Sequence, residues 1–222
     1  MSITRARSPK PPPEEVPGAE PFLPVKHTLP ALRAAISTCR GCPLYQNATQ
    51  AVFGDGSAAS RVMLIGEVPG DREDLAGKPF IGPAGRLLDE ALAIAGIPRD
   101  EVYVTNAVKH FKYTRRGKRR LHDKPNRYEI EACKPWLLSE LEVVEPAIVV
   151  MLGATAAQAL LGPSFRVTKS RGQVLATPFA KHAFATVHPA SVLRAPDDET
   201  RRLAKEDFLH DFELAGEYFR RL

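Results

Sequence analysis

Cysteine is scarce: the 222 residues hold three, Cys39, Cys42 and Cys133. So small and odd a number is no framework for a disulfide-stapled secreted domain, and it leaves metal or redox chemistry as the question the thiols raise. Long hydrophobic runs are missing too. The nearest candidate for a membrane span, residues 147–162, is interrupted by Gly153, Thr155 and Gln158 and falls short of the roughly 20 apolar residues a crossing needs. No apolar stretch separates Arg5, Arg7 and Lys10 from Pro11-Pro12-Pro13, so the beginning of the chain does not read as a secretory signal. A reducing, cytoplasmic setting is expected. Nucleotide-binding signatures are also wanting: neither GxGxxG after a strand nor GxxxxGK[ST] occurs, and Gly153-Ala154-Thr155 lacks the required lysine.

Proline, by contrast, is concentrated. Eight of the 20 prolines fall in the first thirty residues, a density that favours extended, solvated chain. Residues 1–27 are therefore expected to be a disordered tail and residues 28–222 one domain, with a monomer as the default state. The net charge of +5 and the isoelectric point near 9.2 suit a polyanionic partner without demanding one.

From Arg61 onward, short β-rich runs alternate with longer helical patterns, the mark of parallel βαβ units. Strands are expected at 62–65, 102–105, 148–152 and 183–187, apolar on both faces as befits a sheet covered on both sides. Helices are expected at 85–95, 127–144, 154–161 and 200–220, with a short one opening at Thr28 and running toward Cys39. The fold class is α/β, a three-layer αβα arrangement around a four-stranded parallel sheet. Ligands of open parallel sheets bind beyond the carboxyl ends of the strands. Glu67, Asn106 and His188 each follow such an end, so a carboxylate, an amide and an imidazole are expected to share one crevice although none is adjacent in sequence.

About twenty residues between the second strand and the helix at Arg127 show no apolar periodicity and are expected to form a long functional loop. Lys109, Lys112, Arg115, Arg116, Lys118, Arg119, Arg120 and Lys124 are opposed there only by Asp123, with Phe111 and Tyr113 interleaved. Cations pair with phosphates and aromatic faces stack on unpaired bases, so the composition suits nucleic acid as well as it suits a merely solvated loop; the loop leaves the sheet on the same edge as Glu67, Asn106 and His188, and that position favours nucleic acid. His122 ends the basic run, where neighbouring cations favour the neutral, nucleophilic imidazole. Cys39-Arg40-Gly41-Cys42 with the distant Cys133 supplies three soft ligands, and a tetrahedral site needs a fourth. A buried core thiol beside a redox pair is the alternative.

Three ordered motifs carry a resemblance: Gly66-Glu67-Val68-Pro69-Gly70 with Asp71 to Phe80 and Gly82-Pro83-Ala84-Gly85; Tyr103-Val104-Thr105-Asn106-Ala107-Val108-Lys109-His110; and His188-Pro189-Ala190-Ser191. Over residues 36–220 the chain resembles the uracil-DNA glycosylase superfamily, in its iron-sulfur family 4 branch and the related UdgX proteins. Gly117-Lys118-Arg119-Arg120-Leu121-His122 is similar to the loop that sets UdgX apart, with Leu121 for its Ile, and His110 stands where ordinary family 4 members have Cys. Val68 departs from the Gln of UdgX.

The resemblance implies uracil-containing DNA as partner, single-stranded DNA being favoured, and a 4Fe-4S cluster held by Cys39, Cys42, His110 and Cys133. It implies that Phe80 stacks on the base, Asn106 reads its edge, His188 stabilises the departing base, Glu67 acts near the anomeric carbon, and Gly66, Asp71, Asp74, Arg120 and Ser191 shape the binding site. It further implies covalent capture of C1′ by His122 after excision. The alternatives are a conventional turnover glycosylase and a non-catalytic nucleic-acid-binding module with a Cys3His zinc site.

Overall fold

The structure, a computed structural model, describes residues 17–222. In chain order its elements are α1 (Leu29–Ile36), β1 (Val62–Gly66), α2 (Asp71–Ala76), α3 (Pro83–Ala95), β2 (Val102–Asn106), β3 (Tyr113–Arg116), β4 (Arg119–His122), α4 (Arg127–Val144), β5 (Ile148–Leu152), α5 (Ala154–Leu161), α6 (Val167–Ser170), β6 (His182–Thr186), α7 (Pro189–Leu193) and α8 (Asp198–Phe219). Four strands form a parallel sheet in the order β2-β1-β5-β6. The period-2 pleat divides their side chains between two cores. Val62, Leu64, Val102, Val104, Ile148 and Val150 face α3 and α8, while Met63, Ile65, Tyr103, Val149 and Met151 face the side of α1, α4 and α5. The three-layer α/β expectation holds, and the apolar runs are continuous because both faces are covered.

Helix ends follow local chemistry. Asn126 caps α4, its side chain accepting from the Glu129 N–H at 2.9 Å while the Glu129 carboxylate accepts from the Asn126 N–H at 2.7 Å. Asp197 likewise caps α8 through the Thr200 N–H at 2.7 Å. No helix among the described residues is long and apolar enough to cross a membrane.

Two expectations are corrected. The tail expected at 1–27 lies outside the described residues for 1–16, but residues 17–27 include a helical turn at Glu20–Phe22 and Ala19, which is buried in the core. The contact is close: a Cβ on Gly41 would stand 2.4 Å from the Gly18 carbonyl oxygen. Proline density misled there because Pro21 suits the first turn of a helix. The loop expected between the second strand and Arg127 is instead largely an antiparallel hairpin, β3 paired with β4 from Tyr113↔His122 to Arg116↔Arg119. Gly117 at φ +61° is the only residue of its two-residue turn in the left-handed region, as a type II′ turn with glycine first requires.

Candidate functional site

Beyond the carboxyl ends of the strands lies a cavity of about 360 Å³, lined by the segment after β1, by α2 and the start of α3, by the ends of β2 and β4, and by α7 with its two caps, a volume at the small end of ligand cavities. Glu67 follows β1, with its backbone carbonyl accepting from the Val108 N–H at 3.0 Å. Its Oε1 is buried and has no hydrogen-bond partner among the described residues. Asn106 ends β2, and its Nδ2 is in the same condition. Buried polar atoms normally find partners, so two orphans in one cavity mark where a ligand's polar atoms belong.

The wall opposite is aromatic. Phe80 adopts a left-handed backbone at φ +55°, an uncommon state for a bulky residue. Two glycines and a carboxylate hold it there. A Cβ on Gly85 would come within 1.6 Å of the Phe80 carbonyl oxygen, and one on Gly66 would meet Asn106 Oδ1 at 2.3 Å and Phe80 Cζ at 2.6 Å. Glu73 accepts from the Gly70 N–H at 2.9 Å and from the backbone of Phe80, while burial raises its pKa.

His188 caps the start of α7, its Nδ1 accepting from the Ala190 N–H at 3.2 Å. That bond assigns the ring proton of the neutral form to Nε2. Burial first, then Arg194 and His122, bring its pKa down to about 4. The ring stacks on Phe80 with centroids 6.1 Å apart. Gly153, at φ +92°, leaves room for it, since a Cβ there would lie 3.1 Å from His188 Cβ.

His122 closes the constellation from the end of β4. Its pKa is lowered by desolvation and by Arg194, against the pull of Glu67 and Asp123. The hairpin that carries it is fastened by Arg120, which donates from Nε to Asp71 at 2.5 Å and from Nη1 to the buried Asp74 at 2.6 Å. The same guanidinium stands 5.3 Å from the Phe111 ring centre and 5.1 Å from that of Tyr113.

Glu67, Asp71, Phe80, Asn106, His122 and His188 thus meet in one cavity, with Gly66 beneath Asn106 and Phe80. Three other expected residues do not line it. Asp74 accepts from the N–H and hydroxyl of Thr49 at 2.8 and 2.6 Å as well as from Arg120; Asp74 and Arg120 therefore anchor the hairpin. Ser191 turns its hydroxyl to the His188 carbonyl at 2.6 Å. Sequence reasoning missed Arg72, Glu73 and Arg194, which do line the cavity. The only hint in the chain was their closeness to the Gly66 and His188 motifs.

Cys39, Cys42 and Cys133 are buried and free of disulfides. Burial, joined by the nearby Cys39, pushes the Cys42 thiol up to about 11; it pushes Cys133 further, with Cys42 and Cys39 adding to the effect. Two sulfurs receive N–H donors: the Lys109 amide reaches Cys133 at 3.3 Å and the Trp136 indole reaches Cys39 at 3.2 Å. His110 lines a small cavity with Cys39, and burial lowers its pKa to about 4, which keeps the ring neutral. Among the described residues no group of three or more His, Cys, Asp or Glu is drawn together as a metal site.

Comparison with known proteins agrees with this geometry. Residues 53–213 match the family described as the uracil DNA glycosylase superfamily. The chain is 38% identical over 173 residues to a type-4 uracil-DNA glycosylase of Thermotoga maritima, covering 78% of this chain and 86% of that protein. It is 37% identical over 175 residues to one of Pyrobaculum aerophilum, covering 76% and 86%. With one of Sulfurisphaera tokodaii it is 34% identical over 196 residues, covering 85% of each. With its parallel sheet, its strand-end cavity and these matches, the chain belongs to the uracil-DNA glycosylase superfamily and is similar to its type-4 members.

Proposed function

We propose that this protein excises uracil from DNA and that His122 then captures the sugar it leaves behind. The observation that carries the excision reading is the pair of orphaned polar atoms, Glu67 Oε1 and Asn106 Nδ2, in one cavity walled by Phe80 and His188. A base reaches such a cavity only by leaving the stack, which costs a few kcal/mol and least in single-stranded DNA. Phe80 then stacks on the ring. Asn106 donates from Nδ2 to a carbonyl oxygen of the base and accepts its imide N–H at Oδ1. His188, neutral and protonated on Nε2, donates to the other carbonyl oxygen as charge develops there.

The C1′–N1 bond breaks with its electron pair going to the base, and the Glu67 carboxylate offsets the positive charge on the sugar. In the capture branch, an unprotonated ring nitrogen of His122 attacks C1′, forming a C1′–N bond; the proton on the other nitrogen passes to Glu67 or to water. In the turnover branch, water attacks and gives its proton to Glu67. Two features support capture. His122 lies on the same cavity as Glu67, and the lowered pKa leaves its ring neutral. The hairpin carrying it is held by two ion pairs.

Cys39, Cys42, Cys133 and His110 would hold a 4Fe-4S cluster. Burial of the three cysteines and of His110, and N–H donors aimed at two of the sulfurs, support that assignment. When bound, the cluster serves as a cross-link joining the segment after α1, the end of β2 and α4.

The test is denaturing electrophoresis after mixing the protein with a single-stranded oligonucleotide bearing one uracil. A band shifted by the mass of the DNA, absent with thymine and lost in His122→Ser while free uracil still appears, is expected. Uracil release without a shifted band would leave the turnover glycosylase, and neither signal would overturn the reading.

A further inference from the structure

The imidazole of His188 is carried on the edge of the sheet. The strand that leads to it, β6, is last in the sheet order, with β5 on one side, and an edge strand lacks the second neighbour that would hold its end. Among the described residues its other side carries one isolated bridge, the Leu175 N–H donating to the Ala183 carbonyl at 2.8 Å. A group that must meet one atom of a base tolerates little drift, since a misplacement of about 1 Å can cost roughly a hundredfold in rate.

The end of β6 is fastened by other means. Thr186, its last residue, is buried and held through two atoms. Its carbonyl accepts from the Gly153 N–H at 2.8 Å, and its hydroxyl donates to Oδ2 of the buried Asp211 on α8 at 2.5 Å. The same oxygen accepts from Arg171 Nε at 3.0 Å and Nη2 at 2.8 Å. Arg171 closes α6 and stands 3.5 Å from Asp207 as well. Gly172, at φ +66°, brings the chain close past the carboxylate, where a Cβ would lie 3.3 Å from Asp211 Oδ1. A strand end, a helix and the segment after α6 thus meet on one carboxylate. Charge-assisted bonds are the strong ones, and a satisfied buried network is rigid. Thr186, Asp211 and Arg171 do not line the cavity, so contact with a ligand does not account for them.

We propose that Thr186 and Asp211, with Arg171 behind them, are positioning residues for His188: they pin the end of the edge strand and so set how far the imidazole reaches across the cavity toward Phe80. Val187 alone separates the pinned residue from His188, and His188 in turn begins α7, so little chain is left to absorb a shift of Thr186. The consequence for catalysis rests on the glycosylase reading, to which the network adds the residues that aim the group donating to the departing base.

The experiment follows uracil release from a single-stranded deoxyuridine oligonucleotide with the full-length protein in excess, so that the chemical step is read apart from binding. Thr186→Val, which keeps the shape and removes the donor, is expected to slow release about thirtyfold, inside the range that a misplaced group costs, with affinity for the strand unchanged. Thr186→Ser, which keeps the donor, stays near the wild-type rate, and Asp211→Asn falls between the two. A double-mutant cycle locates the effect: in a His188→Gln background Thr186→Val slows release little further. Nuclear Overhauser contacts between the stacked rings of His188 and Phe80, read without DNA, weaken in Thr186→Val. Ile97→Val, a trim of the buried core ahead of β2, lowers stability while leaving rate and ring contacts intact. A wild-type rate in Thr186→Val, or equal slowing in both backgrounds, would overturn the proposal; should Thr186→Val not fold, Asp211→Asn carries the same cycle. Failure of the glycosylase reading would show separately, as no free uracil released by the wild type, while the ring contacts would still report whether Thr186 places the imidazole.

Discussion

The ammonium of Lys109 donates to the backbone carbonyl of Asn106 at 2.8 Å, while the amide of the same lysine donates to Cys133 Sγ at 3.3 Å. One fully buried residue thus joins the end of β2, where the cavity begins, to a cysteine of the thiol set. Its charge is met by Glu140, equally buried, which also accepts from the Tyr103 hydroxyl and the Gly54 amide at 3.0 Å each.

Removing the lysine leaves the Glu140 carboxylate buried with neutral donors only. Lys109→Met is expected to destabilise the protein by about 3 to 5 kcal/mol, read as a lower urea midpoint at constant slope. A loss below 1 kcal/mol would show that the network is dispensable.

Gly66 has no room for a methyl group without moving Asn106 or Phe80. Gly66→Ala is expected to cost about 1 to 3 kcal/mol of stability, the usual penalty of overpacking, and more than a hundredfold in uracil release. The two measurements together separate a displaced site from a merely weakened fold; release within threefold of the wild type would contradict the geometry.

His188 titrates near pH 4 in the folded protein, against about 6.5 when unfolded. Above pH 7 both states are neutral and the residue contributes nothing to pH dependence. Between about pH 6.5 and 4 the unfolded chain binds a proton that the folded one does not, so stability falls on acidification, by about 3 kcal/mol in total. Denaturation of His188→Gln over this range should show a shallower acid limb than the wild type. Nitrogen-15 NMR should find the Nε2–H tautomer at pH 7; the Nδ1–H tautomer would refute the capping bond.

Arg120 fastens the hairpin to α2 through Asp71 and Asp74. Arg120→Ala is expected to lower the yield of covalent adduct at least tenfold while reducing uracil release by less, because Glu67, Asn106 and His188 lie on other elements. Equal losses in the two assays would place Arg120 in excision itself.

The sheet was legible because strand and helix patterns are local: each of Val62–Ile65, Val102–Thr105, Ile148–Leu152 and Ala183–Val187 announces itself within five residues, and the strand ends sit at one edge once the strands are parallel. The hairpin was not, because half the residues of β3 and β4 are arginine and most are exposed, so the pair lacks the apolar alternation by which a strand is recognised. Gly117 in the turn was the one available signal, and it was obscured by the surrounding cations.

The sequence by itself determined the layered α/β architecture, the crevice at the ends of β1, β2 and β6, and the meeting of Glu67, Asn106 and His188 there, all of which follow from periodicity and parallel topology. The tertiary structure alone decided that Asp74 and Arg120 fasten a hairpin, that Glu73 holds the backbone of Phe80, and that Arg72 and Arg194 line the cavity without an ion pair among the described residues. Pairing of charges depends on distances through space between elements far apart in the chain, and nothing in the local order of residues records those distances.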